Sequence, residues 1–188
     1  MTTTAQEVSR LLGGVAPFDD LEAEHLATVI TWLDSTDDVF RRAKPATPSP
    51  HLVSYFVPVD AAKRQVLLVE HRKAGLWLPP GGHVEPGEHP WDAVVRECHE
   101  ELSVQAEPLF AGDTAPLFVT RTPTVEPNPH VDVSLWYVIK GEASVELNWD
   151  RGEFASVRWW PTFELAQADA RFDPHTPRFI AKLNARTA

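Results

Sequence analysis

Between Gly81 and Val104 the chain reads GGHVEPGEHPWDAVVRECHEELSV, the stretch that most narrows what it can fold into and do. Two glycines and a Pro–Gly pair break any regular element at its start, and a run of helix formers follows. Four carboxylates crowd into it, Glu88, Glu97, Glu100 and Glu101, with Arg96 among them. Each helical residue advances about 100° around the axis, so Trp91, Val95, Cys98 and Leu102 fall on one narrow stripe suited to a buried seam. Glu97, Glu100 and Glu101 fall on another arc, roughly opposite. At spacings i, i+3 and i+4 their charges repel by a few tenths of a kcal/mol per pair unless something neutralises them.

An isolated E-x-x-E-E reads most simply as a solvated acidic face. The glycine-rich entry favours a second reading, because Gly81 and Gly82 let the backbone approach a ligand closely. Three hard carboxylate oxygens with a free carbonyl suit Mg²⁺ or Mn²⁺, which keep waters and accept phosphate oxygens. Glu88 precedes the helix, where an acid complements the helix dipole. Arg96, set between acids, is placed to reach Glu88 or a ligating carboxylate and orient the cluster. Cys98 lies on the apolar stripe and reads as core.

The rest of the chain sets the frame. Residues 1–49 read as a helical extension and a proline-rich link. DDLEAEHLATVITWLDS offers Asp19 or Asp20 as an N-cap and places Leu26, Val29, Ile30 and Leu33 on one stripe, and KPATPSP interrupts the helix. Residues 50–188 read as the main domain. HLVSYFVPV and RQVLLVEHR are strands joined by a short turn, AGLWLPPGG is a loop, and HPWDAVVRECHEELS is a helix. APLFVTRTP, HVDVSLWYVIKG and SVRWWP are further strands, and TFELAQADA and PHTPRFIAKLNAR are closing helices. The pattern predicts a mixed α/β or α+β fold.

A formal charge of −10 argues against a nucleic-acid polymer as partner and leaves small phosphorylated ligands open, because a metal ion can supply local positive charge. No apolar run approaches the roughly 20 residues that span a bilayer, and the N-terminal residues lack the pattern of a signal peptide. With a single cysteine, no intrachain disulfide forms, and a cytoplasmic setting is expected.

The acidic stretch resembles the Nudix box, G-x5-E-x7-R-E-U-x-E-E-x-G-U with U a bulky apolar residue. Gly82 opens it, Glu88 is the first acid, Arg96–Glu97 the arginine–glutamate pair, Glu100–Glu101 the acid pair and Val104 the last apolar place. Cys98 takes the inner apolar place, and Ser103 stands where the family has glycine. GLWLPPGG is similar to the family's W-x-x-P-G-G lead-in, with Trp77 in place and Pro79 added. The resemblance implies an α/β/α sandwich with a mixed sheet, and hydrolysis of a diphosphate linked to another moiety. It implies Glu97, Glu100 and Glu101 as divalent-metal ligands, joined by the Gly82 carbonyl, with Glu97 or a neighbouring acid acting on the attacking water. Glu88 and Arg96 become structural supports. Many members use an additional acid from a later loop, for which Glu153 is the candidate here, with Asp150 behind it.

The leading expectation is therefore a Mg²⁺- or Mn²⁺-dependent pyrophosphohydrolase of a nucleotide-like small molecule. The alternatives are a nucleotide-binding sensor without turnover and a prenyl-diphosphate isomerase. His130 and Asp132 are expected either to line the substrate cleft or to pair with each other. His83 and His89 flank the loop, as phosphate contacts or without a role. Trp136, Trp159, Trp160, Phe118 and Phe154 offer base stacking but read better as core. The N-terminal helices are left to pack on the domain, cap the cleft or form a homodimer contact.

Overall fold

The computed structural model describes residues 3–43, 47–124 and 129–187. Its elements run α1 (Thr4–Leu12), α2 (Asp20–Ser35), β1 (His51–Asp60), β2 (Gln65–His71), β3 (Leu76–Leu78), β4 (Gly81–His83), α3 (Pro90–Leu102), β5 (Phe118–Pro123), β6 (Val131–Lys140), β7 (Phe154–Pro161), α4 (Thr162–Leu165) and α5 (Thr176–Thr187). The fold is mixed α/β, as expected. Seven strands form one sheet in the order β3-β2-β1-β6-β5, with β4 paired to β1 and β7 to β2. No helix among the described residues is long and apolar enough to cross a membrane.

The chain gathers into two compact units. The first comprises Met1–Tyr55, Gly82–Val94 and Thr114–Tyr137, and the second Phe56–Gly81, Val95–Asp113 and Val138–Ala188. β1, β4, α3 and β6 therefore each contribute residues to both.

In the first unit, Asp19 is the N-cap of α2, its side chain accepting from the Glu22 amide at 2.9 Å. Leu26, Val29 and Leu33 are buried along one stripe of this helix, with Ile30 at its edge. Glu22 shares that face although it is charged, because β5 supplies it with a donor. Its carboxylate accepts from the Phe18 amide at 2.7 Å and from the Val119 amide at 3.2 Å, so burial does not leave it unsatisfied. Ser9 on α1 donates to Asp34 at 2.7 Å and ties the two helices together.

In the second unit, β2 is the hub. It pairs antiparallel with β1 through Val59↔Val66, with β3 through Glu70↔Trp77, and with β7 from Gln65↔Pro161 to His71↔Phe154. Val66 to Val69 are buried throughout, so both faces of this strand are covered. The segment AGLWLPPGG differs from its expected loop, since it holds β3 and the first residues of β4. Three-residue strands broken by prolines carry no alternation to read, and their pairing partners are far off in sequence. The closing helix expected over TFELAQADA is confined to Thr162–Leu165.

Helix α3 corrects one expectation. Val95 is 40% exposed, and the buried positions are Pro90, Ala93, Val94, Cys98, Glu101 and Leu102. Trp91 is half-buried, its ring 5.6 Å from that of Tyr137. The seam is thus rotated from the predicted stripe and takes in Glu101.

The helix ends at Ser103, which adopts a positive φ of 55°, the conformation glycine adopts freely. Its amide donates to the His99 carbonyl at 3.0 Å, the Val104 amide donates to Cys98 at 3.3 Å, and Asn148 donates to the Ser103 hydroxyl at 3.3 Å. Serine performs the turn at the cost of left-handed strain, about 1 kcal/mol. Ser103→Gly is expected to raise stability by no more than about 0.5 kcal/mol in denaturant titration, the lost Asn148 bond and the added freedom of the unfolded chain offsetting most of the relieved strain. A destabilised variant would show that this bond outweighs the strain.

Candidate active site

The acids of α3 take three different environments. Glu100 is the open one, its side chain 60% exposed. Glu97 is mostly covered, and its carboxylate accepts from Arg96 Nη1 at 2.6 Å. The same guanidinium lies 3.6 Å from Glu100. Arg96 thus orients two acids of the cluster, and its single charge cannot neutralise them all. Burial pushes the Glu97 carboxyl above its usual range, against the pull of Arg96.

Glu101 is only 4% exposed. One of its oxygens has the Gly81 amide as partner, while Oε2 is buried with no hydrogen-bond partner. Burial, followed by the nearby charges of Glu97 and Glu153, drives its carboxyl up to about 9. Gly81 has a φ of 139°, outside the range of other residues, so a glycine is required to present that amide. An orphaned, buried carboxylate oxygen among further acids is costly unless a proton or a cation meets it.

Glu153 belongs to the same charge cluster, since it raises both Glu97 and Glu101. It sits on the turn leading into β7, which Asp150 builds by accepting from the Gly152 amide at 2.6 Å and the Glu153 amide at 3.3 Å. The Asp150 amide donates to the Glu101 carbonyl at 2.9 Å, which ties this turn to the end of α3. The sequence did not single out His71. Its Nδ1 accepts from the Ala74 amide at 3.1 Å, so the proton rests on Nε2, 3.5 Å from the Glu153 carboxylate. Burial holds this imidazole below its usual range and therefore neutral. The β2–β7 register shifts between Glu70 and His71, at the residue that meets Glu153.

The remaining expected residues lie in the first unit. Glu88 closes a turn, accepting from the Glu85 amide at 2.9 Å while its own amide donates back to Glu85. Gly82 lies on β4. His89 serves the start of α3, its ring accepting from the Trp91 amide at 3.1 Å. His130 and Asp132 pair with each other, Nε2 to Oδ1 at 3.3 Å, and His51 and His83 join them. Burial, then the positive charge of Arg41, lowers His83 to about 3, leaving it neutral. Trp136, Phe118 and Phe154 are fully buried, Trp160 nearly so, and Trp159 partly, so the aromatic residues on these strands are mainly core.

A mixed α/β fold thus carries an acid-rich helix that follows a glycine-containing strand. The NUDIX domain family model matches residues 50–183, and the chain belongs to that family. It is 52% identical over 33 residues to the asymmetrical bis(5'-nucleosyl)-tetraphosphatase of Caenorhabditis elegans, covering 18% of this chain and 24% of that protein. The match thus spans about a quarter of that relative's length. Among solved structures, the fold is similar to a MutT NUDIX hydrolase from Burkholderia pseudomallei, at 21% identity and a TM-score of 0.55 over 70% of this chain and 96% of that one. It is also similar to the E. coli dihydroneopterin triphosphate pyrophosphohydrolase, at 14% identity and a TM-score of 0.56 over 72% and 95%.

Proposed function

We propose that the chain is a divalent-metal-dependent pyrophosphohydrolase that cleaves a phosphoanhydride bond in a nucleoside-diphosphate-linked small molecule. The observation that carries this reading is the buried, unpartnered Glu101 oxygen amid Glu97 and Glu153. Such a donor set fits Mg²⁺ or Mn²⁺, which take carboxylate oxygens and tolerate waters in the remaining positions. The similarity to a bis(5'-nucleosyl)-tetraphosphatase supports a nucleoside-linked oligophosphate as substrate class.

When bound, the cation supplies the positive charge that phosphate oxygens need and lowers the pKa of water beside it. The protein's own groups do the rest. Glu97, Glu100 and Glu101 are the ligands, with the Gly82 carbonyl as a further candidate. Arg96 keeps Glu97 turned toward the cluster instead of toward solvent. Glu153 is the base that takes the proton from the attacking water, and the neutral His71 N–H holds its carboxylate in position. Glu88 supports the loop by closing its turn.

Cys98 is fully buried, and burial pushes its thiol up to about 12, so it does not provide the reactive thiolate that an isomerase on this fold would need. The sensor reading is separated by experiment. A panel of dinucleoside oligophosphates, nucleoside triphosphates and nucleotide sugars is to be followed by phosphate or pyrophosphate release. Release is expected only with Mg²⁺ or Mn²⁺, and Glu100→Gln should abolish it while the circular dichroism spectrum stays unchanged. Nucleotide binding without product at saturating Mg²⁺ would establish the sensor instead.

A further inference from the structure

His51 opens β1 with a fully buried side chain. Its Nδ1 lies 2.7 Å from the Pro48 carbonyl oxygen. A carbonyl can only accept, so the proton on this ring is committed to Nδ1. The other nitrogen, Nε2, faces Asp132 Oδ1 at 3.0 Å. With the ring neutral, a lone pair meets a carboxylate oxygen, and neither offers a hydrogen. Something positive belongs between them.

More imidazoles converge on this point. A ring nitrogen of His83, a His51 nitrogen and an Asp132 oxygen all lie within 4.8 Å of one another. The ring centroid of His51 is 4.8 Å from that of His83 and 5.1 Å from that of His130. His130 Nε2 approaches the same Asp132 oxygen at 3.3 Å. A single proton on His51 Nε2 would pair it with Asp132, but it would set a positive ring 4.8 Å from His83 and 5.1 Å from His130. One divalent cation satisfies it with the rings neutral. Tetrahedral bonds of about 2.0–2.2 Å place ligand atoms roughly 3.3–3.6 Å apart, a spacing the group reaches by small side-chain shifts. The outer support is also present. Pro48 fixes the His51 tautomer, and His130 braces Asp132, as ligating imidazoles and carboxylates require.

We infer that His51, His83 and Asp132 form a second metal site that draws no ligand from the α3 acids. Two imidazoles and a carboxylate select a first-row transition ion over Mg²⁺, and Zn²⁺ fits the tetrahedral set. Three protein ligands leave one position for water or an anion. This assignment gives Asp132 a ligand's role and His130 a positioning role, keeping the pairing that was one of the two expectations for them and replacing the cleft lining that was the other.

The test uses the full chain, stripped with chelator and titrated with Co²⁺. One equivalent is expected to give the intense visible absorption of a four- or five-coordinate nitrogen–oxygen site and to shift the His51 and His83 ring signals in NMR spectra. Zn²⁺ should displace it, and excess Mg²⁺ should not. Asp132→Asn and His83→Ala should weaken uptake by more than about 100-fold, beyond what outer-sphere changes cause. Glu100→Gln should leave it unchanged. Should either site variant fail to fold, the wild-type absorption and histidine signals decide alone. Only weak octahedral absorption, loss of uptake in Glu100→Gln or with Mg²⁺, or full uptake in a folded Asp132→Asn would overturn the site. Histidine signals that answer to pH but not to Co²⁺ would show that a proton holds the cluster together, and would also overturn it.

Discussion

Glu101→Gln is expected to lose turnover by roughly 10²–10⁴-fold while becoming more stable than the parent in metal-free buffer. The two effects have one cause. Glu101 is held at 4% exposure with Oε2 lacking a partner, and burial together with Glu97 and Glu153 opposes its ionisation. Its negative charge is therefore a liability to the metal-free fold and an asset once a cation is bound. Glutamine keeps the shape and an acceptor for the Gly81 amide but removes the charge. A gain of about 1–3 kcal/mol at pH 7 follows from a carboxyl that ionises near 4.5 in the unfolded chain and about 9 in the folded one. Turnover close to the parent's at saturating Mg²⁺ would remove Glu101 from the ligand set. A stability loss would instead mean that its carboxylate has a partner other than a cation.

The same physics predicts a pH dependence that metal erases. A raised folded-state pKa means that the folded chain binds the Glu101 proton more tightly than the unfolded chain does. This contribution is fully present below about 4.5 and is lost as pH rises through about 9. Glu97, also raised by burial, acts in the same direction. His71 and His83 act oppositely, because both are lowered from 6.5 and disfavour the folded state as pH falls below that value. Between pH 7 and 9 the carboxyls dominate, so stability in chelator should fall with a slope of up to about 1.4 kcal/mol per pH unit. Saturating Mg²⁺, at about 100 times its dissociation constant, should restore about 2.7 kcal/mol, or roughly 5–10 °C in Tm. Denaturant titrations of the parent and Glu101→Gln across this window provide the check. A parent curve as flat as the variant's would refute the buried-charge account.

The acidic motif was legible because helical spacing is a property of sequence. Fixed residue types at fixed intervals put Glu97, Glu100 and Glu101 on one short helix with Arg96 beside two of them, whatever lies around it. The N-cap at Asp19 and the principal strands were readable for the same local reason. Ser103 was visible as a departure, and its left-handed conformation shows the position still serves as the helix-ending turn.

What the sequence could not rank was the environment of each acid. Spacing treats Glu100 and Glu101 as neighbours of equal standing, yet one is open to solvent and the other is buried with the core. That difference is set by which side of α3 meets other elements, and the predicted seam through Val95 was misplaced for the same reason. His71 beside Glu153, and His51, His83 and Asp132 within 4.8 Å, come from segments far apart in the chain. No local pattern records such a meeting. Sequence alone determined the family motif, the cluster of carboxylates and the helix that carries them. Tertiary structure alone decided which carboxylate loses its water and which histidines converge, because burial and long-range proximity arise only when separate strands pair and pack.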